Sequence, residues 1–409
     1  MRSLKGKTIV LGVSGGIAAY KAAELCRLLQ QEGATVQVVM TAAAREFITP
    51  LTFATLTGRP TLTTLFGNEN ESPLTHIDLA ARADLFLVAP ATANTLARLA
   101  HGFADDLLSA TALAVTCPTL VAPAMNVNMY NKDSVQANLA TLKQRGWIIV
   151  EPAEGELACG TSGKGRLASL EVIVAACRRA LSPQDYQGRI VLVTAGGTRE
   201  PLDPVRYLGN YSSGKMGYAL AQAAWERGAK VTLISASQLQ PPPEVELVPV
   251  QTAAEMLAAL QERFSDADLV VKAAAVADFR PRAVAPQKLK KNGQIEPVVE
   301  LELTEDILAI LGRQKDKQLL VGFAAETENL LTNARQKLKA KKLDLIVAND
   351  VTRPGAGFGS DSNVVTLIYP DGSIKELPRL TKIEVAHCIL DAIRILPGWR
   401  KTGQMGGAI

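Results

Sequence analysis

The apolar positions of this chain fall into short β-branched runs separated by stretches with helical spacing. Residues 8–13 form the first run. A Gly-rich turn follows, then apolar positions recur every three or four residues over 17–29, Gly33 stops that pattern, and 35–40 is a second β-branched run. The order predicts a βαβ unit. Further runs at 84–89, 120–122 and 147–150 alternate with helical stretches. Such alternation predicts a parallel sheet covered by helices on both faces.

The pattern restarts near residue 188. A strand at 189–193 leads into Ala195-Gly196-Gly197-Thr198, a helix is expected over 215–227, Gly228 ends it, and 231–234 is a strand. Later strands are expected at 269–273, 319–322, 345–348 and 364–369, with a helix near 382–395. The α/β class therefore applies twice, as two doubly wound, Rossmann-like domains. The expected division is 1–181, a polar linker 182–187, and 188–409 with a loose tail from Gly403. At 409 residues the chain is too long for one ordinary core, which agrees with two domains.

Composition narrows the classes. The chain is 47% hydrophobic and 21% charged, as in a globular protein, and carries a net charge of +4 from 44 basic and 40 acidic residues. That balance gives no basic footprint for nucleic acid and is compatible with sites for small anions. Five cysteines are scattered, odd in number and never spaced C-x-x-C, so neither a disulfide framework nor a structural zinc is expected, and a reducing cytoplasm fits. The N-terminal residues imitate a secretory leader, but Gly12, Ser14, Gly15 and Gly16 interrupt the apolar run and Lys21, Glu24 and Arg27 follow at helical spacing; a buried first strand is the better reading. No apolar run reaches the ~18 residues needed to span a bilayer.

The candidate chemistry lies where strands end. Gly12-Val13-Ser14-Gly15-Gly16 joins a strand to a helix, and free N–H groups with the helix dipole would hold a phosphate there, although such turns also use glycine for packing. The spacing is not G-x-G-x-x-G, and the second strand ends at Met40-Thr41 with no acid for a ribose hydroxyl; a mononucleotide is favoured over NAD. Pro90-Ala91-Thr92-Ala93-Asn94-Thr95 follows another buried run, and either ligand binding or a helix cap by Thr92 or Asn94 explains it. Pro123-Ala124-Met125-Asn126 follows a third. Residues 155–166 are Gly-rich with one cysteine, Cys159, and read as a mobile flap in which a cysteine is more plausibly reactive than structural.

In the second half, Ser212, Ser213 and Gly214 open a helix and form an anion pocket with its free amides; a serine cap fits Ser213 equally well. The run 272–281 leaves a strand through small residues to Asp278, which could order a metal or a base. Lys288, Lys290 and Lys291 follow on a loop. Lys337 and Lys341 are spaced i,i+4, on one helix face.

Taken together, His76, the Pro-Ala-Met-Asn run and the Leu-Ala-Cys-Gly flap resemble the homo-oligomeric flavin-containing cysteine decarboxylases, with Tyr130 where those carry Trp. The second half resembles the phosphopantothenate–cysteine ligases in motif order and spacing, with Gly209 where relatives carry Thr or Ser. About residues 5–395 match the bacterial fusions of these two enzymes. The resemblance implies a bifunctional enzyme of coenzyme A biosynthesis, a carboxy-lyase and an acid–amino-acid ligase. It implies FMN held by Gly12, Ser14, Gly15, Gly16, Thr41, Pro90, Thr92, Asn94 and Thr95. It implies His76 as base, Asn126 on the substrate carboxylate and Cys159 as proton donor. For the ligase it implies CTP held by Ala273, Ala274, Ala275, Asp278, Lys288, Thr304, Glu305, Asp306, Ile307, Phe323, Lys337 and Lys341, with Lys288 on the triphosphate. Asn210 would hold the acyl-cytidylate carbonyl, and Ser212, Ser213 and Gly214 the substrate phosphate. Mg2+ would offset phosphate charge, with Asp278 as its candidate ligand. The expected partners are the small molecules 4′-phosphopantothenate, cysteine and CTP, with no nucleic acid and no membrane. A homo-oligomer with trimeric decarboxylase and dimeric ligase contacts is expected by the same resemblance. Two rival readings are a nicotinamide oxidoreductase, disfavoured by the missing acid and glycine spacing, and a non-catalytic flavin-binding regulator, disfavoured because His76, Asn126 and Cys159 are all present.

Overall fold

The structure is a computed structural model that describes residues 4–66, 74–156, 160, 162–290, 298–326, 330–350 and 359–401. The chain divides into two compact units, Met1–Ser182 and Pro183–Ile409.

In the first unit, strands β1 (Thr8–Val13), β2 (Thr35–Met40), β3 (Leu85–Ala91), β4 (Thr119–Pro123) and β5 (Ile148–Ile149) form one parallel sheet in the order β2-β1-β3-β4-β5. Strands β1 and β2 coincide with the expected runs. The alternation of β1 explains both layers: Ile9, Leu11 and Val13 join one buried cluster, and Val10 joins the other across the sheet. Helices α1 (Lys21–Gln31), α2 (Pro50–Thr57), α3 (Thr75–Arg82), α4 (Ala93–His101), α5 (Leu107–Ala114), α6 (Val127–Tyr130), α7 (Asp133–Gln144) and α8 (Leu170–Leu181) fill the connections. Strand order reverses between β1 and β3, which is where ligands bind in open α/β sheets.

The Gly-rich segment expected to be a flap is described at residues 155–156, 160 and 162–166. Its described residues form an antiparallel hairpin, β6 (Ala153–Glu156) with β7 (Ser162–Arg166). The glycines serve close approach. A Cβ on Gly165 would stand 2.4 Å from the Met125 carbonyl oxygen, and one on Gly163 2.8 Å from the Val127 side chain. The hairpin thus lies against the turn after β4, tied by the Met125 amide donating to the Gly165 carbonyl at 2.9 Å.

The second unit carries an eight-stranded sheet built from β8 (Ile190–Ala195), β11 (Lys230–Ser235), β12 (Glu246–Pro249), β13 (Leu269–Lys272), β16 (Leu319–Glu326), β17 (Leu345–Asp350), β19 (Val365–Ile368) and β20 (Ile374–Glu376). Short ribbons pair β9 (Arg199–Pro201) with β10 (Tyr207–Gly209), β14 (Phe279–Pro281) with β15 (Leu301–Leu303), and β18 (Ser362–Asn363) with β21 (Leu380–Thr381). The order is β12-β11-β8-β13-β16-β17-β19-β20. Six strands are parallel; β19 and β20 extend the sheet antiparallel, an edge the strand runs did not reveal. The order reverses between β8 and β13. Helices α9 (Lys215–Glu226), α10 (Ala253–Phe264), α11 (Ile307–Gln314), α12 (Leu330–Ala340) and α13 (Lys382–Arg394) cover it. Helix α9 packs tightly because Gly217 is bare: a Cβ there would meet the Ala195 Cβ at 2.5 Å. Among the described residues no helix is long and apolar enough to cross a membrane.

Candidate active sites

At the reversal in the first unit lies a cleft of about 1150 Å³. The turn after β1 supplies Gly15, Gly16 and Ile17, the end of β2 supplies Thr41, and the end of β3 supplies Pro90, Thr92, Asn94 and Thr95. Met125, Asn126 and Met129 close one side, with Gly165 of the hairpin. The walls are mainly apolar, with the hydroxyls of Thr41, Thr92 and Thr95 and the amides of Asn94 and Asn126 among the lining side chains, which suits a flat aromatic ring bearing polar groups.

Two expected ligand contacts do other work. Gly12 is inside β1, where a Cβ would meet Leu108 at 2.8 Å, so its role is packing against α5. Ser14 is buried. Its hydroxyl donates to the Pro90 carbonyl at 2.7 Å and accepts from the Thr92 amide at 3.0 Å, tying the β1 turn to the β3 turn. Neither lines the cleft. Gly15 is constrained as well: a Cβ would stand 2.4 Å from the Ala43 Cβ. Thr92 caps α4 through Thr95, so capping and cleft lining coexist. Asn126 caps α6, its Oδ1 accepting from the Asn128 amide at 2.8 Å.

His76 sits in the first turn of α3, half-buried, and does not line this cleft. Cys159 lies outside the described residues. Tyr130 is more than aromatic packing: its hydroxyl donates to Glu151 at 2.9 Å, and Lys164 of the hairpin pairs with Glu151 at 2.7 Å. Burial alone would raise the Glu151 carboxyl, but the hydrogen bonds from Lys164 and Tyr130 outweigh it and hold it below the usual range. Burial and the same Glu151 contact push the Tyr130 phenol up to about 12.

The second unit has a narrower, more polar cleft of about 460 Å³ at the reversal between β8 and β13. Asn210, Ser212, Ser213, Gly214, Ala273, Ala274, Ala275 and Phe323 line it, as expected from the sequence. The helix cap is Gly214, with φ of 81° and no side-chain cap, so Ser213 does not cap α9. The Ser212 hydroxyl instead accepts from the Gly214 amide at 3.4 Å. Asn210 donates through Nδ2 to the Val276 carbonyl at 3.0 Å. Gly209 does not loosen this loop, because it is paired with Arg199 in the β9–β10 ribbon and a Cβ would stand 2.7 Å from the Thr198 carbonyl oxygen.

Asp278, Lys288, Thr304, Glu305, Asp306, Ile307, Lys337 and Lys341 do not line this cleft. Several of them gather at its flank. Thr304 is pinned to the loop before β14, its hydroxyl donating to the Ala277 carbonyl at 2.6 Å and its amide to that of Asp278 at 3.0 Å. Asp306 caps α11 and pairs with Lys341 at 2.9 Å. Asp278 and Lys288 are exposed, and Lys291 lies outside the described residues. Among the described residues no group of three His, Cys, Asp or Glu side chains could hold a metal ion, so Asp278 has no cage around it. The sequence reading gave no role to several polar cleft residues, among them Lys215, Lys272, Asn349, Asn363 and Lys382. Lys272 and Asn349 carried a usable signal, a polar residue ending an otherwise apolar strand.

Comparison with known proteins identifies the family. Residues 1–182 match the family model described as Flavoprotein, and 186–396 that of the DNA/pantothenate metabolism flavoprotein C-terminal domain. The chain is 48% identical over 407 residues to the Coenzyme A biosynthesis bifunctional protein CoaBC of Bacillus subtilis (strain 168), covering 98% of this chain and 99% of that one. The protein of the same name from Escherichia coli (strain K12) is 47% identical over 396 residues, covering 96% of this chain and 97% of its own. A crystal structure of the C-terminal domain of such a protein is 46% identical, with a TM-score of 0.45, and covers 52% of this chain and 97% of that domain. Such identity along nearly the whole length of both relatives shows that the chain belongs to the family of bifunctional coenzyme A biosynthesis proteins, a decarboxylase and a ligase in one polypeptide.

Proposed function

We propose that the second unit joins 4′-phosphopantothenate to cysteine using CTP, and that the first unit decarboxylates the product to 4′-phosphopantetheine with FMN. The observation that carries this reading is the pair of clefts at the two sheet reversals, one broad and mainly apolar, the other narrow and lined by serines and lysines.

In the first unit, Gly15, Gly16, Thr41, Pro90, Thr92, Asn94 and Thr95 would hold FMN. Bound there, FMN supplies a two-electron oxidation of the substrate thiol and the later return of those electrons. His76 takes the thiol proton, the Asn126 amide orients the carboxylate that leaves as carbon dioxide, and Cys159 supplies the final proton. His76 is off the cleft of its own chain, while Ile17, Tyr20 and Met129 at the rim are exposed. A second copy seated on that rim would bring the missing base, which supports a homo-oligomer formed through this unit.

In the second unit, the substrate carboxylate attacks the α-phosphorus and pyrophosphate leaves. Cysteine's amine then attacks the acyl carbon and CMP leaves. The turn of Ser212, Ser213 and Gly214 binds the substrate phosphate, Asn210 the acyl carbonyl, and Lys288 the triphosphate. Mg2+ would arrive on the nucleotide's phosphates, since among the described residues no group of acidic side chains forms a cage with Asp278. A cytoplasmic location fits these substrates.

The test is product analysis after mixing the protein with 4′-phosphopantothenate, cysteine and CTP or ATP. CTP should give pyrophosphate, CMP, carbon dioxide and 4′-phosphopantetheine. Cys159→Ser should bleach the flavin and release carbon dioxide without forming 4′-phosphopantetheine, and His76→Asn should do neither. Amide formation with no nucleotide consumed, or a colourless protein that still decarboxylates, would overturn the reading.

A further inference from the structure

Strand β13 ends at Lys272, at the point where the order of the second sheet reverses. Leu269, Val270 and Val271 are buried, and the register places Lys272 beside Thr194 of β8 and Gly322 of β16. The central strand of a parallel sheet calls for an apolar residue here. The chain has an ammonium instead, and it lines the ligase cleft with Asn210, Ser213 and Phe323.

The other lysines nearby already have partners. Lys215 pairs with Asp361 at 2.7 Å and donates to the Gly359 carbonyl at 3.1 Å. Lys382 donates to the Ser360 carbonyl. Lys341 pairs with Asp306. Among the described residues the Lys272 ammonium makes neither an ion pair nor a hydrogen bond. Burial, then the charge of Lys341, pushes its ammonium down to about 8, while Asp306 and Asp278 pull the other way without touching it. A half-buried cation kept without a partner costs stability and is retained where an anion completes it.

We propose that the Lys272 ammonium binds a non-bridging oxygen of the nucleotide's α-phosphoryl group and holds it through both ligase half-reactions, an assignment that rests on the ligase reading proposed above. The α-phosphoryl is chosen by position. Lys272 shares the cleft with the serine turn proposed for the acid substrate, and it feels the charges of Asp278, Asp306, Lys337 and Lys341, proposed for the nucleotide. Of the nucleotide's phosphoryl groups, only the α-phosphoryl becomes bonded to the acid substrate and is still bonded to it when cysteine attacks. First, the carboxylate oxygen bonds to the α-phosphorus as the bond to pyrophosphate breaks, and pyrophosphate takes the electron pair. Then the cysteine nitrogen bonds to the acyl carbon, the carbon–oxygen bond to CMP breaks, CMP takes that pair, and the amine's proton passes to water. Lys272 keeps its own proton throughout and offsets charge on the oxygens.

The experiment uses the full chain and the variants Lys272→Met and Lys272→Arg. Pyrophosphate release from CTP and 4′-phosphopantothenate is followed without cysteine. Carbon dioxide release from 4′-phosphopantothenoylcysteine is followed separately. Lys272→Met should lower kcat for pyrophosphate release on the order of 100-fold, as removal of one preorganised donor does. Lys272→Arg should recover about a tenth or more of the original rate, because a cation is restored. Flavin content and carbon dioxide release should be unchanged in both, and the melting temperature should not fall, with Lys272→Met melting at or above the unsubstituted chain, which shows that the variants are folded. Pyrophosphate release by Lys272→Met within about twofold of the unsubstituted chain would overturn the assignment, as the loss expected of such a donor is far larger. So would equal loss in both variants with a normal melt. If the unsubstituted chain releases no pyrophosphate, the ligase reading itself falls and this assignment with it, an outcome seen before any variant is measured.

Discussion

Asp203 and Leu289, 86 positions apart, are joined directly through the leucine amide and, by way of Arg206, through its carbonyl. The Asp203 carboxylate accepts the Leu289 amide at 3.2 Å, and Arg206, itself gripped by that carboxylate through Nε at 2.8 Å, donates Nη2 to the Leu289 carbonyl at 2.8 Å. The same carboxylate accepts the Val205 and Arg206 amides at 2.8 and 2.9 Å. Its side chain is fully enclosed. The Arg206 hydrogen bond is the chief cause that holds the carboxyl far below the usual range. Leu289 stands between Lys288 and Lys290, so the clamp fixes the backbone that presents the proposed triphosphate lysine.

Replacing that carboxylate by an amide should release the loop. In Asp203→Asn a donor nitrogen meets the donors of Leu289 or Arg206, and a charged hydrogen bond is lost. The expected result is about a tenfold fall in kcat/KM for CTP. Carbon dioxide release from 4′-phosphopantothenoylcysteine should stay at its original rate. Steady-state kinetics of both reactions on the one variant check this, and an unchanged CTP dependence would show that the clamp does not govern the lysine loop.

Gly15→Ala tests the flavin turn. The new Cβ would stand 2.4 Å from the Ala43 Cβ and 2.5 Å from the Ala43 carbonyl carbon, contacts that require the backbone to move. Overpacking of this kind costs about 1–3 kcal/mol. The purified variant should carry less flavin per chain and melt earlier, while ligation continues. Visible absorbance and a thermal melt decide it; full flavin occupancy would show that the turn yields without cost.

The pH dependence of the second unit should have an acid limb set by Asp185. Burial would raise this carboxyl, but the bidentate grip of Arg227, at 2.8 and 2.6 Å, and the contact with Arg394 outweigh burial and keep it below the usual range. A carboxyl lowered by folding stabilises the protein fully above its unfolded pKa of about 4, and that contribution disappears as pH falls further. Asp185→Asn should therefore lower stability at pH 7 by roughly 2 kcal/mol, less than for a fully enclosed pair because Asp391 still faces Arg227 at 2.9 Å. The difference from the unsubstituted chain should begin to shrink as pH falls below about 4 and vanish only once pH has fallen through the lowered folded pKa. Melting curves at several pH values measure it, and a difference constant with pH would refute the ion-pair account.

The sequence by itself determined the elements. Short β-branched apolar runs set β1, β2, β8, β11 and β13 to within one or two residues, and glycines marked the turns, because both signals are local: a strand covered on both faces is apolar throughout, and tight backbone approach tolerates no Cβ. It also named most residues at the strand ends that line the two clefts. Tertiary structure decided which polar groups at those ends face a ligand and which hold the frame. Ser14 reads like a phosphate ligand until β3 is laid beside β1 and brings Pro90 and Thr92, more than seventy positions away, onto its hydroxyl. Lys272 reads as the tail of a strand until the reversal between β8 and β13 turns it into the cleft. His76 matches a motif, yet α3 carries it off the cleft of its own chain. The physical reason is common to all three: a local pattern fixes the face on which a side chain lies, whereas its neighbours are set by strand order and crossovers, which join residues far apart in sequence.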